Sequence, residues 1–350
     1  MSPSSPDSSP KNHNERNYHH EESKTSAVGS SLHDRAARCA VRFRLGGPTG
    51  EARTLKQVYV NEELDGYEIP YVLYLPANYD EAKEYPVLLL LHGAGERGSD
   101  NELQLFHAVD ELYETRQALM DDCIFLVPQC PLEEQWVDWP WTNGNYSVDE
   151  IPESKALSTV IKLLGEILEQ YAADTNRVYI MGISMGGFGT WDALVRHEPI
   201  FAAGVPLCGG GDPSKVDILK EIPIWCVHGT VDSAVPFAGT EEMYNTIVAA
   251  GGERITFEPM DGMDHNIWDY ATTNGALIDW LFAQNLELRY PPAPETEPVT
   301  EAVTNPIEPG VETDVLPVED GSATPIAAAV VIAVLAVGAV VGFVMTRKKK

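Results

Sequence analysis

Val178-Tyr179-Ile180-Met181-Gly182-Ile183-Ser184-Met185-Gly186-Gly187 runs from an apolar, strand-like segment through a small-residue turn into a helix-like one. The turn is G-x-S-x-G, with Ser184 at its centre. A nucleophile carried on such a strand-to-helix turn sits in a strained backbone conformation. Gly182 and Gly186, two residues to either side, let the neighbouring chain pass close by. The turn lifts the hydroxyl clear of the strand and aims it at the start of the next helix, where the dipole favours developing negative charge. Ser184 is therefore the candidate nucleophile.

The surroundings repeat the same alternation. Apolar runs at 71–75, 87–91, 123–127, 178–181, 204–207, 224–227 and 255–257 read as strands. Periodic stretches at 102–120, 155–172, 187–196, 240–250 and 274–284 read as helices. Strands alternating with helices predict an α/β fold, with a mainly parallel sheet covered on both faces. In such sheets ligands bind outside the carboxyl ends of the strands.

A serine nucleophile needs a base, and the base needs an orienting acid. Ile224-Trp225-Cys226-Val227-His228-Gly229-Thr230-Val231-Asp232 is a strand-like run ending in a turn with an acid. His265 is the one histidine C-terminal to Asp232. The chain order Ser184, Asp232, His265 suits a triad on this architecture. Asp261 and Asp264 are rival acids, but Asp264 adjoins His265, and adjacent side chains rarely face each other as a triad requires.

Val87-Leu88-Leu89-Leu90-Leu91-His92-Gly93-Ala94-Gly95-Glu96-Arg97-Gly98 contains a formal G-x-G-x-x-G, the dinucleotide pattern. Ser99-Asp100-Asn101 interposes a polar turn where a dinucleotide fold starts its helix. The next strand ends in Pro128-Gln129 rather than in an acid. The stretch reads better as an oxyanion loop. Ala94 N–H (or Gly93 N–H) supplies one donor and Met185 N–H the other. Losing one such donor typically costs about 3 kcal/mol of transition-state stabilisation. Glu96 and Arg97 either pair to brace this loop or are solvated. Residues 133–146 hold Trp136, Trp139, Trp141 and Tyr146, rings suited to a sugar or phenolic acyl group or to pinning down their own loop. Trp139 is the candidate substrate contact.

With these residues placed, the chain resembles the α/β-hydrolase superfamily. The nearest resemblance is to its carboxylesterase branch of feruloyl-esterase-like, polyhydroxybutyrate-depolymerase-like and lone prolyl-oligopeptidase-like catalytic domains. The matching text is L-H-G-A-G-E-R-G at 91–98, P-Q-C-P at 128–131, G-I-S-M-G-G at 182–187, H-G-T-V-D at 228–232 and D-H-N-I-W at 264–268. The resemblance implies a serine carboxylesterase working through an acyl-enzyme, with no metal and no organic cofactor. Feruloyl or acetyl esters of polysaccharide are the expected substrates. A serine peptidase with the same triad and a non-catalytic surface-binding module are the alternatives.

Composition sets the frame. The chain has 350 residues and a net charge of −29, a balance that disfavours nucleic acid as a partner. Five cysteines without a C-x-x-C argue against a zinc site or a disulfide framework. Cys123, Cys208 and Cys226 read as buried hydrophobes. A Cys123–Cys130 bond is open in an oxidising compartment.

Residues 1–40 are predicted to be a disordered polar segment, 41–289 the catalytic domain and 290–325 an acidic, Pro-rich linker. Residues 326–345 are twenty uncharged, mostly apolar residues, followed by a basic tail at 346–350. As a helix that run spans about 30 Å, enough to cross a bilayer. The basic tail predicts a cytoplasmic C-terminus and a catalytic domain held outside. Residues 1–35 contain no apolar signal core, which leaves a cytosolic tail-anchored form as the alternative.

Overall fold

The computed structural model describes residues 53–290. The expectations for the N-terminal segment, the linker, the membrane span and the basic tail fall outside the described residues. Among the described residues no helix is long and apolar enough to cross a membrane.

Eight strands form one sheet: β1 (Arg53–Asn61), β2 (Tyr67–Leu75), β3 (Tyr85–Leu91), β4 (Ile124–Pro128), β5 (Ala173–Ile183), β6 (Ala203–Leu207), β7 (Ile224–Gly229) and β8 (Ile255–Met260). Their order is β1-β2-β4-β3-β5-β6-β7-β8. β2 is antiparallel to both its neighbours, and every pairing from β4 to β8 is parallel. The helices are α1 (Val109–Met120), α2 (Lys155–Gln170), α3 (Met185–Arg196), α4 (Val216–Leu219), α5 (Phe237–Ala249), α6 (Trp268–Thr273), α7 (Gly275–Phe282) and α8 (Leu286–Arg289). This is the α/β-hydrolase fold.

β3 shows why the sheet is buried on both sides. Its seven residues, Tyr-Pro-Val-Leu-Leu-Leu-Leu, are all buried. Val87, Leu89 and Leu91 point to one apolar layer, with residues of α2, α3 and α5. Leu88 and Leu90 point to the other, with residues of α1, α6 and α7. Alternation along a strand divides the side chains between faces, and each fully buried Leu contributes about 1.5–3 kcal/mol. In α2 the buried Leu157, Val160, Ile161, Leu164 and Ile167 recur at helical spacing. Its N-cap Ser154 accepts a hydrogen bond from Leu157 N–H at 3.0 Å.

Three expectations need correction. The helix foreseen at 102–120 is broken into a 3₁₀ turn, Leu103–Leu105, and α1, with Ala108 at φ 71° between them. Asp100 caps the N–H groups of Glu102 and Leu103, so local side-chain bonding competes with helix there. The strand foreseen at 178–181 starts at Ala173, and β1 lies in a segment not foreseen as a strand. Cys123 and Cys130 are both free thiols. They flank the five residues of β4, and extended chain at about 3.3 Å per residue holds them too far apart to bridge.

Chain order places the site. β3 has β4 on one side and β5 on the other, so successive connections leave it in opposite directions. That is the switch point at which such sheets open a crevice. Leu91 pairs with Gly182 across the β3–β5 ladder. The loop after β3 and the turn after β5 therefore emerge side by side.

Candidate active site

Ser184 takes φ 55° and ψ −112°, between the end of β5 and the first residue of α3. For a residue with a Cβ this is a strained conformation. It is held in place by the Ser184 N–H bond to Leu207 O at 2.8 Å. The flanking glycines are required by space. A Cβ on Gly182 would lie 2.0 Å from Gly186 O, and one on Gly186 would lie 1.9 Å from Leu91 O.

His265 stands in the loop between β8 and α6. Its Nδ1 lies 2.6 Å from Asp232 Oδ2 and its Nε2 lies 2.8 Å from Ser184 Oγ. A carboxylate only accepts, so Nδ1 carries the proton and Nε2 offers a lone pair to the serine hydroxyl. The structure thus brings together the three residues expected from sequence.

Asp232 stands in the loop after β7 with its side chain buried. Its Oδ1 accepts from Ala234 N–H and Val235 N–H, each at 2.8 Å. Its Oδ2 also lies 3.1 Å from His228 Nε2. Burial alone would raise its pKa. The hydrogen bonds from His228, His265 and the two backbone amides outweigh it and hold the carboxyl well below the usual carboxylate range. Asp264, the rival acid, is spent locally. It accepts from Ser233 N–H at 2.7 Å and from His265 N–H at 2.8 Å.

The loop after β3 leans against the nucleophile. A Cβ on Gly93 would lie 3.7 Å from Ser184 Cβ. Ala94 opens a short 3₁₀ turn, Ala94–Glu96, and Met185 opens α3. The first N–H of a helix has no acceptor within it, so both amides can serve an incoming oxygen. No helix begins among Gly93, Gly95 and Gly98 beyond that single turn, and α1 waits until Val109. A dinucleotide cradle is not formed.

Residues not assigned a role from sequence hold this loop. Cys130 N–H donates to His92 Nε2 at 2.9 Å, so the ring proton sits on Nδ1, which donates to Gly93 O at 2.6 Å. Trp136, fully buried, donates its indole N–H to His92 O at 3.0 Å. Gln129 donates to Glu96 O at 3.2 Å and accepts from Asn101 N–H at 2.7 Å. The L-H-G and P-Q-C-P motifs carried this signal, since each ends a core strand with a buried polar residue. Glu96 and Arg97 do not pair. Arg97 donates to Ala94 O at 2.9 Å and to Glu134 O at 3.2 Å, with its guanidinium 5.9 Å from the Trp141 ring.

Trp139 packs with Val137, Tyr146, Phe188 and Val235. Phe188 lies one turn of α3 past Ser184, and Val235 lies in the Asp232 loop, so Trp139 borders the site. Its indole N–H donates to Gly144 O at 3.1 Å, which also pins its own loop. Cys208, His228 and Asp232 bring one possible metal-ligand atom each within 4.8 Å of one another. An ion held there would draw on the carboxylate that orients His265.

Fold and site have the arrangement of the α/β-hydrolase type. Residues 78–273 match the phospholipase/carboxylesterase family, and the chain belongs to that family. It is 27% identical over 183 residues to a bifunctional acetylxylan esterase/xylanase of Neocallimastix patriciarum, covering 52% of this chain and 24% of that protein. It is 26% identical over 192 residues to the probable feruloyl esterase C of Aspergillus terreus, covering 55% of this chain and 64% of that protein. A solved thermostable esterase superposes with a TM-score of 0.59 at 35% identity, over 66% of this chain and 63% of that one. The chain thus spans less than two thirds of the length of each.

Proposed function

We propose that the chain hydrolyses carboxylic esters through Ser184, His265 and Asp232. The observation that carries this reading is His265, placed within hydrogen-bond reach of both the other two. His265 Nε2 takes the Ser184 proton as Oγ attacks the ester carbonyl. The oxyanion forms between Ala94 N–H and Met185 N–H. Asp232 stabilises the imidazolium and keeps its Nδ1 proton in place. Collapse expels the alcohol, which takes the proton from His265 Nε2. Water then repeats the sequence on the acyl-enzyme. Acetyl or feruloyl esters of polysaccharide are the proposed substrates, supported by the esterase relatives named above and by the partly exposed rings of Trp139 and Trp141. Membrane attachment through 326–345, with the domain outside, is proposed on the uncharged run and the four basic residues after it.

The test is a fluorophosphonate probe with an ester panel on the full-length chain. Labelling at Ser184 and turnover of acetyl or feruloyl esters are expected. Both vanish in Ser184→Ala while the unfolding transition is retained. Failure of the probe to label sinks the hydrolase reading. Cleavage of peptide anilides in preference to esters overturns the substrate class. Protease shaving of intact cells reports the side of the membrane.

A further inference from the structure

Glu96 presents a carboxylate to the site without a use in the reaction above. Its side chain is 14% exposed, and Oε2 lies 2.9 Å from where a Gly93 Cβ would stand. That same point is 3.7 Å from Ser184 Cβ. The carboxylate therefore fills the side-chain space that Gly93 leaves open beside the nucleophile. Its oxygens accept no hydrogen bond among the described residues. His107 Nε2 lies 3.9 Å from Oε1, beyond hydrogen-bond reach. Its partly exposed oxygens are left to water or to a hydrogen-bond donor on a ligand.

The wall behind it is built. Trp268 N–H, a donor only, reaches His107 Nδ1 at 3.2 Å. The ring proton of neutral His107 is therefore on Nε2, the atom turned toward Glu96. Trp268 in turn meets the His265 ring edge-on, with centroids 5.5 Å apart at 84°. Phe106, 71% exposed, stands against His107 at 4.8 Å and forms an aromatic lip. Glu96, His107, Trp268 and His265 thus make one continuous side of the crevice. That side offers an acceptor at its base and ring surface above.

We propose that Glu96 accepts a hydrogen bond from a substrate hydroxyl, which makes the chain selective for neutral, hydroxyl-bearing esters over carboxylate-bearing ones. This rests on the ester-hydrolase reading and adds the chemistry of the group recognised. A substrate hydroxyl can take the place of water on this carboxylate, and phenolic and sugar rings fit the aromatic side. A substrate carboxylate meets like charge at close range.

The test compares matched esters on the full-length chain. One pair is methyl 4-hydroxycinnamate and methyl 4-methoxycinnamate, and a second is 2-hydroxyethyl acetate and ethyl acetate. A third pair, monomethyl and dimethyl succinate, reads charge. In Glu96→Met the hydroxyl-to-capped ratio of kcat/KM is expected to fall about tenfold in at least one of the first two pairs. In Glu96→Gln the monomethyl-to-dimethyl succinate ratio is expected to rise. Equal loss within every pair in both variants, with ratios unchanged, overturns the proposal and makes Glu96 a brace of the oxyanion loop. Fluorophosphonate labelling separates the two readings. A wild-type chain that does not label overturns the hydrolase reading and this one with it. A chain that labels and turns over with unmoved ratios overturns this one alone.

Discussion

His228 stands behind Asp232 with both ring nitrogens engaged. Nε2 faces Asp232 Oδ2 and Val235 O, both acceptors, so that nitrogen carries a proton. Nδ1 lies 2.7 Å from Thr240 Oγ1. His228→Ala removes a donor from a fully buried carboxylate. A hydrogen bond to a charged group contributes about 1.5–3 kcal/mol, so kcat should fall about tenfold to hundredfold with KM less affected. His228→Gln, which can restore a donor, should recover part of the loss. Equal kcat in wild type and His228→Ala would falsify the assignment. His92 carries a pH prediction. Burial lowers its pKa from 6.5 to about 4, and its Nε2 already receives the Cys130 N–H. In this range the unfolded chain binds the proton that the folded chain refuses, so stability rises with pH. The contribution is full above about 6.5 and is lost as pH falls toward 4. The loss is on the order of 3 kcal/mol. Urea unfolding across that range should show this step in wild type and a reduced one in His92→Gln.

The elements explain which sequence signals held. The β5–turn–α3 unit was legible because a glycine is demanded by distance on each side of Ser184. Gly186→Ala places a methyl group 1.9 Å from the Leu91 carbonyl oxygen, with backbone on both sides and nothing able to move aside. Loss of soluble protein, or destabilisation by about 3 kcal/mol or more in chemical unfolding, is expected. A native-like unfolding midpoint contradicts that packing. The stretch 102–120 departs from its apolar pattern for an equally local reason. Its apolar spacing is helical, but Asp100 and Asn101 bond to nearby backbone and side chains and hold the first part as a turn. That turn is what delivers Phe106 and His107 to the crevice. The extra length of β5 and the strand β1 were missed because polar, edge-ward residues carry little apolar signal. Their strand state comes from ladder bonds to neighbours distant in sequence.

For the molecule as a whole, the two apolar layers and the single sheet account for the domain's cysteines. Cys123, Cys130, Cys208 and Cys226 are buried free thiols, and burial pushes the pKa of each well up. An alkylating reagent should leave all four unmodified in the native protein and modify them after denaturation. Rapid native modification of any of them contradicts the burial. Strand–helix alternation, the G-x-S-x-G turn, the position of Asp232 after a core strand and the solitary His265 were all local features or matters of chain order. Sequence alone therefore determined the fold class and named the three residues, Ser184, Asp232 and His265, that the structure brings within hydrogen-bond reach. Burial partners, ring tautomers and the facing of side chains depend on which strands lie side by side. That is why only the tertiary structure separated Glu96 from Arg97, excluded the Cys123–Cys130 bond and set His228 behind Asp232. It also brought Glu96, His107 and Trp268, from three separate segments, to one wall beside Ser184.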